Sequence, residues 1–335
     1  MRGLNFFFVC LFLITFVNSN YSQEPKSPLF RDPIYEGPAD PIVRWNCVEN
    51  NWWLVYTARR ANQITPGVAY CYGTNIGVAS SDDNGKSWVY RGELNLDFER
   101  GKNTFWAPEI LQVDEIYHLF VTYIRGVYSK WGGRASIHHY TSKNMWDWEH
   151  QGKVALVGES VIDATIFQKS NDDFYMWYKD EQGWIRFAES KDLFHWKNVD
   201  NRILFGNQEG PIIFEFENCY WMLTDEWKGM RVYKSVDLVN WEKQGLILNE
   251  KSLRQDDQSS GAHGDVVVLD NKAYIFYFTH PGRKFHEEEI YDQNGIMPYS
   301  HKRSVIQVAR LYFKNNTLVS DRTENFNDFF LISSR

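Results

Sequence analysis

The feature that most restricts how this chain can fold is a turn ending in tryptophan that comes round four times. Ser80-Ser81-Asp82-Asp83 leads to Trp88, Thr141-Ser142-Lys143 to Trp148, Glu189-Ser190-Lys191-Asp192 to Trp196, and Lys234-Ser235-Val236-Asp237 to Trp241. Successive copies stand roughly fifty residues apart, the period of propeller blades with about four strands each, and no helical period of that length competes. Five aromatic and β-branched runs recur with them, Trp52–Thr57, Tyr117–Tyr123, Phe174–Tyr178, Tyr220–Thr224 and Ala273–Thr279, each behind a polar or Gly-containing turn, and read as strands. The expectation is an all-β chain, a five-bladed β-propeller in one domain over residues 23–335. Val305–Tyr312 is expected to return to the N-terminal segment and close the ring, which would remove exposed sheet edges.

The ends and the composition narrow the class. Arg2 precedes an apolar run from Phe6 to Val17 and then small and polar residues, the layout of a signal peptide over residues 1–22, too short to span a bilayer. The protein is therefore expected to be secreted or periplasmic. Cys47, Cys71 and Cys219 remain after cleavage, an odd number that argues against a disulfide scaffold and allows at most one bridge, with Cys47–Cys71 conceivable. A net charge of −7, from 43 acidic against 36 basic residues and with no basic block, speaks against nucleic acid as a partner. Aromatic residues make up 17% of the chain, with 14 Trp; most should serve a β-rich core, though such faces also stack on sugars.

In a propeller the innermost strand of every blade runs along the central axis, so equivalent positions converge on one funnel. The segments that open those strands are Ala39-Asp40-Pro41, Trp106-Ala107-Pro108-Glu109, Ile162-Asp163-Ala164, Gln208-Glu209-Gly210-Pro211 and Ala262-His263-Gly264-Asp265. Asp40, Asp163, Glu209 and His263 fall at a near-constant distance from the end of the following strand. Three carboxylates facing one funnel would repel one another and resist desolvation, so at least one should hold its proton near neutrality. Glycoside hydrolysis needs one carboxylic acid for the leaving oxygen and one carboxylate for water or carbon.

In this order the motifs resemble glycoside hydrolase family 43 and its five-bladed relatives such as family 117, over roughly Asp32 to Tyr312. The resemblance implies an inverting hydrolase with Asp40 as general base, Glu209 as general acid, and Asp163 orienting the acid and tuning it. It implies an oligosaccharide or polysaccharide of plant or algal walls as substrate, α-L-arabinofuranosides or β-xylosides first. No cofactor is required, although relatives carry calcium or water near the blade-five histidine, which makes His263 a candidate for calcium or for substrate. The helical dimerisation segment usual in family 117 has no room here.

The remaining candidates are weaker. Trp106 is the expected sugar platform; Glu109 could reach the funnel, yet the Ala-Pro ahead of it reads as a backbone device. Arg59, Arg60, Arg125 and Arg283 follow blade strands, and Arg59 and Arg283 are taken as substrate contacts because a guanidinium makes forked hydrogen bonds. Asp32 reads as a turn. His138, His139 and His195 are assigned to surface turns without a zinc spacing. Ser81 to Trp88 fits the box of six-bladed sialidases once only, and reads as turn chemistry. A phosphorylase on the same scaffold would need a basic cluster in the funnel in place of a third acid. A non-catalytic glycan-binding propeller would keep the aromatics without any need for an acid triad, and a family 117-like anhydrogalactosidase is compatible with the same motifs. Loops Arg59–Tyr72, Arg125–Ala135 and Arg283–Arg303 are expected to choose the substrate.

Overall fold

The structure, a computed structural model, describes residues 25–200, 204–285, 289–324 and 331; the expected signal peptide lies outside them. Among the described residues twenty strands, β1–β20 along the chain, form five four-stranded antiparallel sheets, each built from consecutive strands. The innermost strands are β1 (Pro38–Asn46), β5 (Thr104–Val113), β9 (Val161–Ser170), β13 (Glu209–Phe216) and β17 (Ala262–Leu269). Beside them lie β2 (Asn51–Ala58), β6 (Ile116–Ile124), β10 (Asp173–Asp180), β14 (Cys219–Asp225) and β18 (Lys272–Thr279), which hold the five aromatic runs. Five blades, as the repeat predicts, exclude the six-bladed sialidase form.

The tryptophan-ended segments are the turns between third and fourth strands. Ser142, Ser190 and Ser235 accept the backbone N–H three residues on, and Asn144, Asp192 and Asp237 accept two N–H groups each. This side-chain capping holds Met145, Leu193 and Leu238 in the left-handed region, at φ of 65°, 67° and 61°. The repeat visible in the sequence is thus a local hydrogen-bond pattern, at the end of the ring opposite the funnel.

Blades adhere through aromatic and aliphatic side chains of neighbouring second strands. Trp53 packs between blades one and two, Trp177 between three and four, and Trp221 between four and five, each wholly buried. Truncating any of them to Ala would cost about 3–5 kcal/mol. Trp52 is buried as well, and Trp45, Trp88, Trp146, Trp148, Trp196 and Trp241 pack half-buried against the same clusters.

Closure of the ring follows the expectation only in part. The residues at Val305–Tyr312 belong to β19 (Val305–Lys314), the third strand of blade five, paired with β18 along its length. The N-terminal segment meets it by one isolated bridge, Phe30 to Ile306, and Leu331 returns to blade one, accepting the Trp52 indole N–H at 2.6 Å. Each end of the described chain is seated on the far side of the closing seam.

His138 and His139 are a second correction. Both are buried on β7 (Ala135–Ser142), where His138 pairs with His150 at 2.8 Å and His139 with His118 at 3.0 Å, stacked on Phe98 and Phe120. Burial lowers His118 and His138 to about 4 and His139 to about 3. With folded values below the ordinary 6.5, the unfolded chain takes up protons that the folded chain refuses, so these groups cost stability as pH falls from 6.5 toward 3. Wild type should therefore lose stability relative to a His139→Gln variant as pH drops through that window, measured by urea midpoints. His195 is exposed, as expected, against Asp192.

Among the described cysteines, Cys47, Cys71 and Cys219 are all free, so Cys47 and Cys71 do not pair. Asp32 is the expected turn residue, its Oδ1 accepting the N–H groups of Ile34 and Tyr35.

Candidate active site

Every innermost strand is bulged at the same level. Ala39 pairs with Thr57 and Ile42 with Val55, so Asp40 and Pro41 together face Tyr56 alone. The same extra residue occurs between Trp106 and Glu109, Ile162 and Thr165, Glu209 and Ile212, and Ala262 and Gly264. The bulge residues Asp40, Ala107, Asp163 and Gly210 take φ of 50°, 44°, 57° and 55°. A bulge bends its strand and re-aims a side chain, and here five of them form a ring at the funnel floor.

Hydrogen bonds lock the bulges of blades two to five to the blade before them. Ala107 donates its N–H to Thr57 Oγ1 at 2.9 Å, Asp163 to Thr122 Oγ1 at 3.0 Å, Gly210 to Asp163 Oδ2 at 3.2 Å, and His263 to Asp225 Oδ2 at 2.9 Å. Only glycine fits at Gly210. Beyond its positive φ, a Cβ there would lie 2.4 Å from the His263 ring.

The ring also corrects the register. Asp40 and Asp163 are bulge residues, whereas Glu209 stands one residue earlier, level with Trp106 and paired across to Asp225. It projects from a different level of the floor than the two aspartates.

The charges are unequal. Burial pushes the Asp40 carboxyl up, but Arg59, with Nη2 at 3.4 Å, His263, with Nδ1 at 3.5 Å, and the Thr57 hydroxyl, donating at 2.9 Å, outweigh it and hold Asp40 at about 2. Asp163 goes the other way: burial, reinforced by Glu209 and Asp40 against His263, raises it to about 6. Asp225 is raised to about 7 by burial and by Glu209. His263 is raised to about 9 because Asp40, Asp163 and Asp225 outweigh its burial. Near neutrality the floor thus holds one firmly ionised carboxylate beside an imidazolium, with two further carboxyl groups that retain protons readily.

All seven site residues expected from the sequence, Asp40, Asp163, Glu209, Trp106, Arg59, His263 and Arg283, line one cavity of about 760 Å³. Trp106 sits in its wall, its indole N–H given to Cys71 O at 2.6 Å and its edge against Tyr72. Arg283 holds the wall together through His301 O and the Tyr70 hydroxyl. Arg60 and Arg125 do not join the cavity: Arg60 binds the carbonyls of Ala69 and Tyr72, and Arg125 faces Glu99 in solvent.

Three further cavity residues are not apparent from the sequence. Lys179 reaches Glu209 Oε2 at 2.8 Å, Asp225 receives the His263 N–H, and the Trp227 indole donates to Glu209 Oε1 at 2.9 Å. Lys179 and Asp225 occupy the second-strand position that is Thr57 and Thr122 in blades one and two. A charge where other blades carry threonine is the signal that marks them.

Beneath the floor, Arg44 Nη1 and Nη2 bind Asp265 at 2.5 Å and Glu109 at 2.7 Å, while Arg44 Nε binds Ile110 O at 2.6 Å. Glu109 is therefore held in an ion pair beneath the floor. Burial together with Asp265 lifts it to about 7 despite Arg44. The residues around His263 do not fit the calcium that the resemblance allows. Its Nδ1 faces Asp40 Oδ1 at 3.5 Å, and calcium takes oxygen ligands. Among the described residues no three His, Cys, Asp or Glu side chains converge as a metal site.

No protein-family model matches the chain, and no curated protein matches it either. Solved structures do. A thermostable family-43 glycoside hydrolase is 18% identical, with a TM-score of 0.61 over 91% of this chain and 100% of its own. A family 43 β-1,3-galactosidase crystallised with galactodeoxynojirimycin is 13% identical, with a TM-score of 0.62 over 87% and 96%. An exo-β-1,3-galactanase from Phanerochaete chrysosporium, crystallised with β-1,3-galactotriose, is 11% identical, with a TM-score of 0.61 over 85% of this chain and 63% of that one. At such identities the likeness establishes architecture: the chain has the five-bladed β-propeller fold seen in family 43 glycoside hydrolase structures.

Proposed function

We propose that this protein is an exported glycoside hydrolase, secreted or periplasmic, that cleaves a glycosidic bond with inversion. The observation that carries this reading is the convergence of Asp40, Asp163 and Glu209 from three blades on one cavity, with Asp40 held ionised and Asp163 pushed toward its acid form. Asp40 takes a proton from water as the water oxygen bonds to the anomeric carbon. Glu209 gives its proton to the glycosidic oxygen as the bond from that oxygen to the carbon breaks, and exchange with solvent restores both groups. Asp163 anchors the Gly210 N–H next to Glu209 and so fixes the backbone that carries the acid. The fold likeness to galactosidase, galactanase and xylosidase structures supports the class. Arg59 and Lys179 are already paired with Asp40 and Glu209, which favours water over phosphate as the attacking group.

Substrates to try first are α-L-arabinofuranosides and β-xylosides, with β-1,3-galactosides beside them. The purified mature protein should be screened against aryl glycosides and plant and algal oligosaccharides, with proton NMR following the anomer released. An inverted product supports the assignment. Retention would overturn the role of Asp40, and glycan binding without turnover would make this a glycan-binding propeller.

A further inference from the structure

The funnel has a high side and a low side. The loops that leave second strands in blades five, one and two are long and tied to one another through their described residues, 280–285 and 289–304, 59–75 and 125–134. Gly67 donates to Gly295 O at 2.7 Å, Pro66 bridges Ile296, and Val68 donates to Ser129 O at 3.1 Å. The corresponding turns of blades three and four are only residues 181–184 and 226–229. A sugar seated against Asp40 and Asp163 would be walled in on blades five, one and two, so the rest of its chain would leave across blades three and four. Glu209 stands on that side.

Trp227 occupies the tip of the blade-four turn. Its backbone, at φ 60°, is held by the bond from its N–H to Asp225 Oδ1 at 2.6 Å. Its indole N–H points inward to Glu209 Oε1, and Lys179 Nζ, bound to the other carboxyl oxygen, lies 5.6 Å from the centre of its ring. Yet the residue is 55% exposed. An indole pinned at both its backbone and its N–H while its surface stays open contributes little to a core; it presents a flat apolar face beside the proton donor.

Resting on the hydrolase reading, we propose that Trp227 is the platform for the sugar on the leaving-group side of the cleaved bond and the positioning residue that sets the Glu209 carboxyl against that sugar's oxygen. The ring supplies stacking, the N–H supplies orientation, and the low rim gives the departing chain its exit. The substrate is then an oligosaccharide or polysaccharide attacked at the chain end that the high wall encloses, with at least one further sugar beyond the cut.

The test compares wild type, Trp227→Ala and Trp227→Phe on an oligosaccharide and on the glycosyl fluoride of its terminal sugar, whose leaving group has no ring and needs little protonation. Trp227→Ala should raise KM for the oligosaccharide roughly tenfold and lower kcat, with the fluoride little changed. Trp227→Phe should restore the KM while kcat on the oligosaccharide stays depressed several-fold, because the ring returns without the N–H. An unchanged oligosaccharide KM in Trp227→Ala overturns the proposal, as does an equal loss on both substrates. If wild type turns over the oligosaccharides and the variants match it, only this proposal falls; if wild type turns over neither glycosides nor fluorides, the hydrolase reading falls and takes this proposal with it.

Discussion

Glu209→Gln should lower kcat by roughly 10²–10⁴ on glycosides with poor leaving groups, and Asp40→Asn by a similar factor on all substrates. The two losses differ in kind. Without the Glu209 proton, a substrate whose leaving group departs unaided, such as a dinitrophenyl glycoside, should be nearly spared. Without the Asp40 carboxylate the attacking water is not activated whatever departs. Asp40 is also held by Thr57, Arg59 and His263, so circular dichroism and thermal midpoints must accompany the kinetics. Near-normal turnover by either folded variant, measured on the substrate found in the screen, would refute the role given to that residue. Glu209 and Asp40 project from different levels of the bulge ring, and the leaving-group dependence separates them in function as the backbone separates them in space.

Arg44→Met should be the most damaging single change outside the aromatic core, costing about 3 kcal/mol. It strips the shared cation from Glu109 and Asp265 and leaves two buried carboxyls side by side. The figure is at the low end for a broken buried pair because 26% of the Arg44 side chain is exposed. Glu109 already stands at about 7 with Arg44 present, and removing the cation favours its protonated form further. The loss should thus be larger at pH 7 than at pH 5, where Glu109 can neutralise itself. Arg44→Lys should fall between, keeping the charge but not the fork that spans two acids and a carbonyl. Equal thermal midpoints for wild type and Arg44→Met at pH 7 would show that the axial pair contributes nothing net.

The sequence made the blades legible because their marker is local. Ser, Asp or Asn and Trp within eight residues build one turn, and the same turn recurs wherever that spacing does. It made Asp40, Asp163 and Glu209 legible because propeller geometry brings strand starts together. What it hid were features that depend on partners far along the chain. Equal spacing to the next strand suggested a common register, whereas one bulge shift puts Glu209 a residue ahead of Asp40 and Asp163. Lys179 and Asp225 look like the ends of ordinary strands until their blades are set beside Glu209 and His263. Trp227 looks like one more aromatic residue in a chain full of them. His138 and His139 gave no sign of burial, because the Phe98 and Phe120 rings that cover them come from different stretches of sequence. The closing seam misled for a related reason: a β-rich C-terminal stretch pairs as well with its own hairpin as with the other end.

The ring of bulges means that the scaffold has five positions at one level and has furnished them differently. Aspartate fills two, glycine and histidine two more, and Ala107 leaves one with nothing beyond a methyl group. Because the backbone at Ala107 already has the conformation that carries Asp40 and Asp163, a new side chain there would inherit an aim toward the floor without remodelling the blade. Chemistry in this architecture can be rewritten one letter at a time, and blade two is where an unwritten position is waiting.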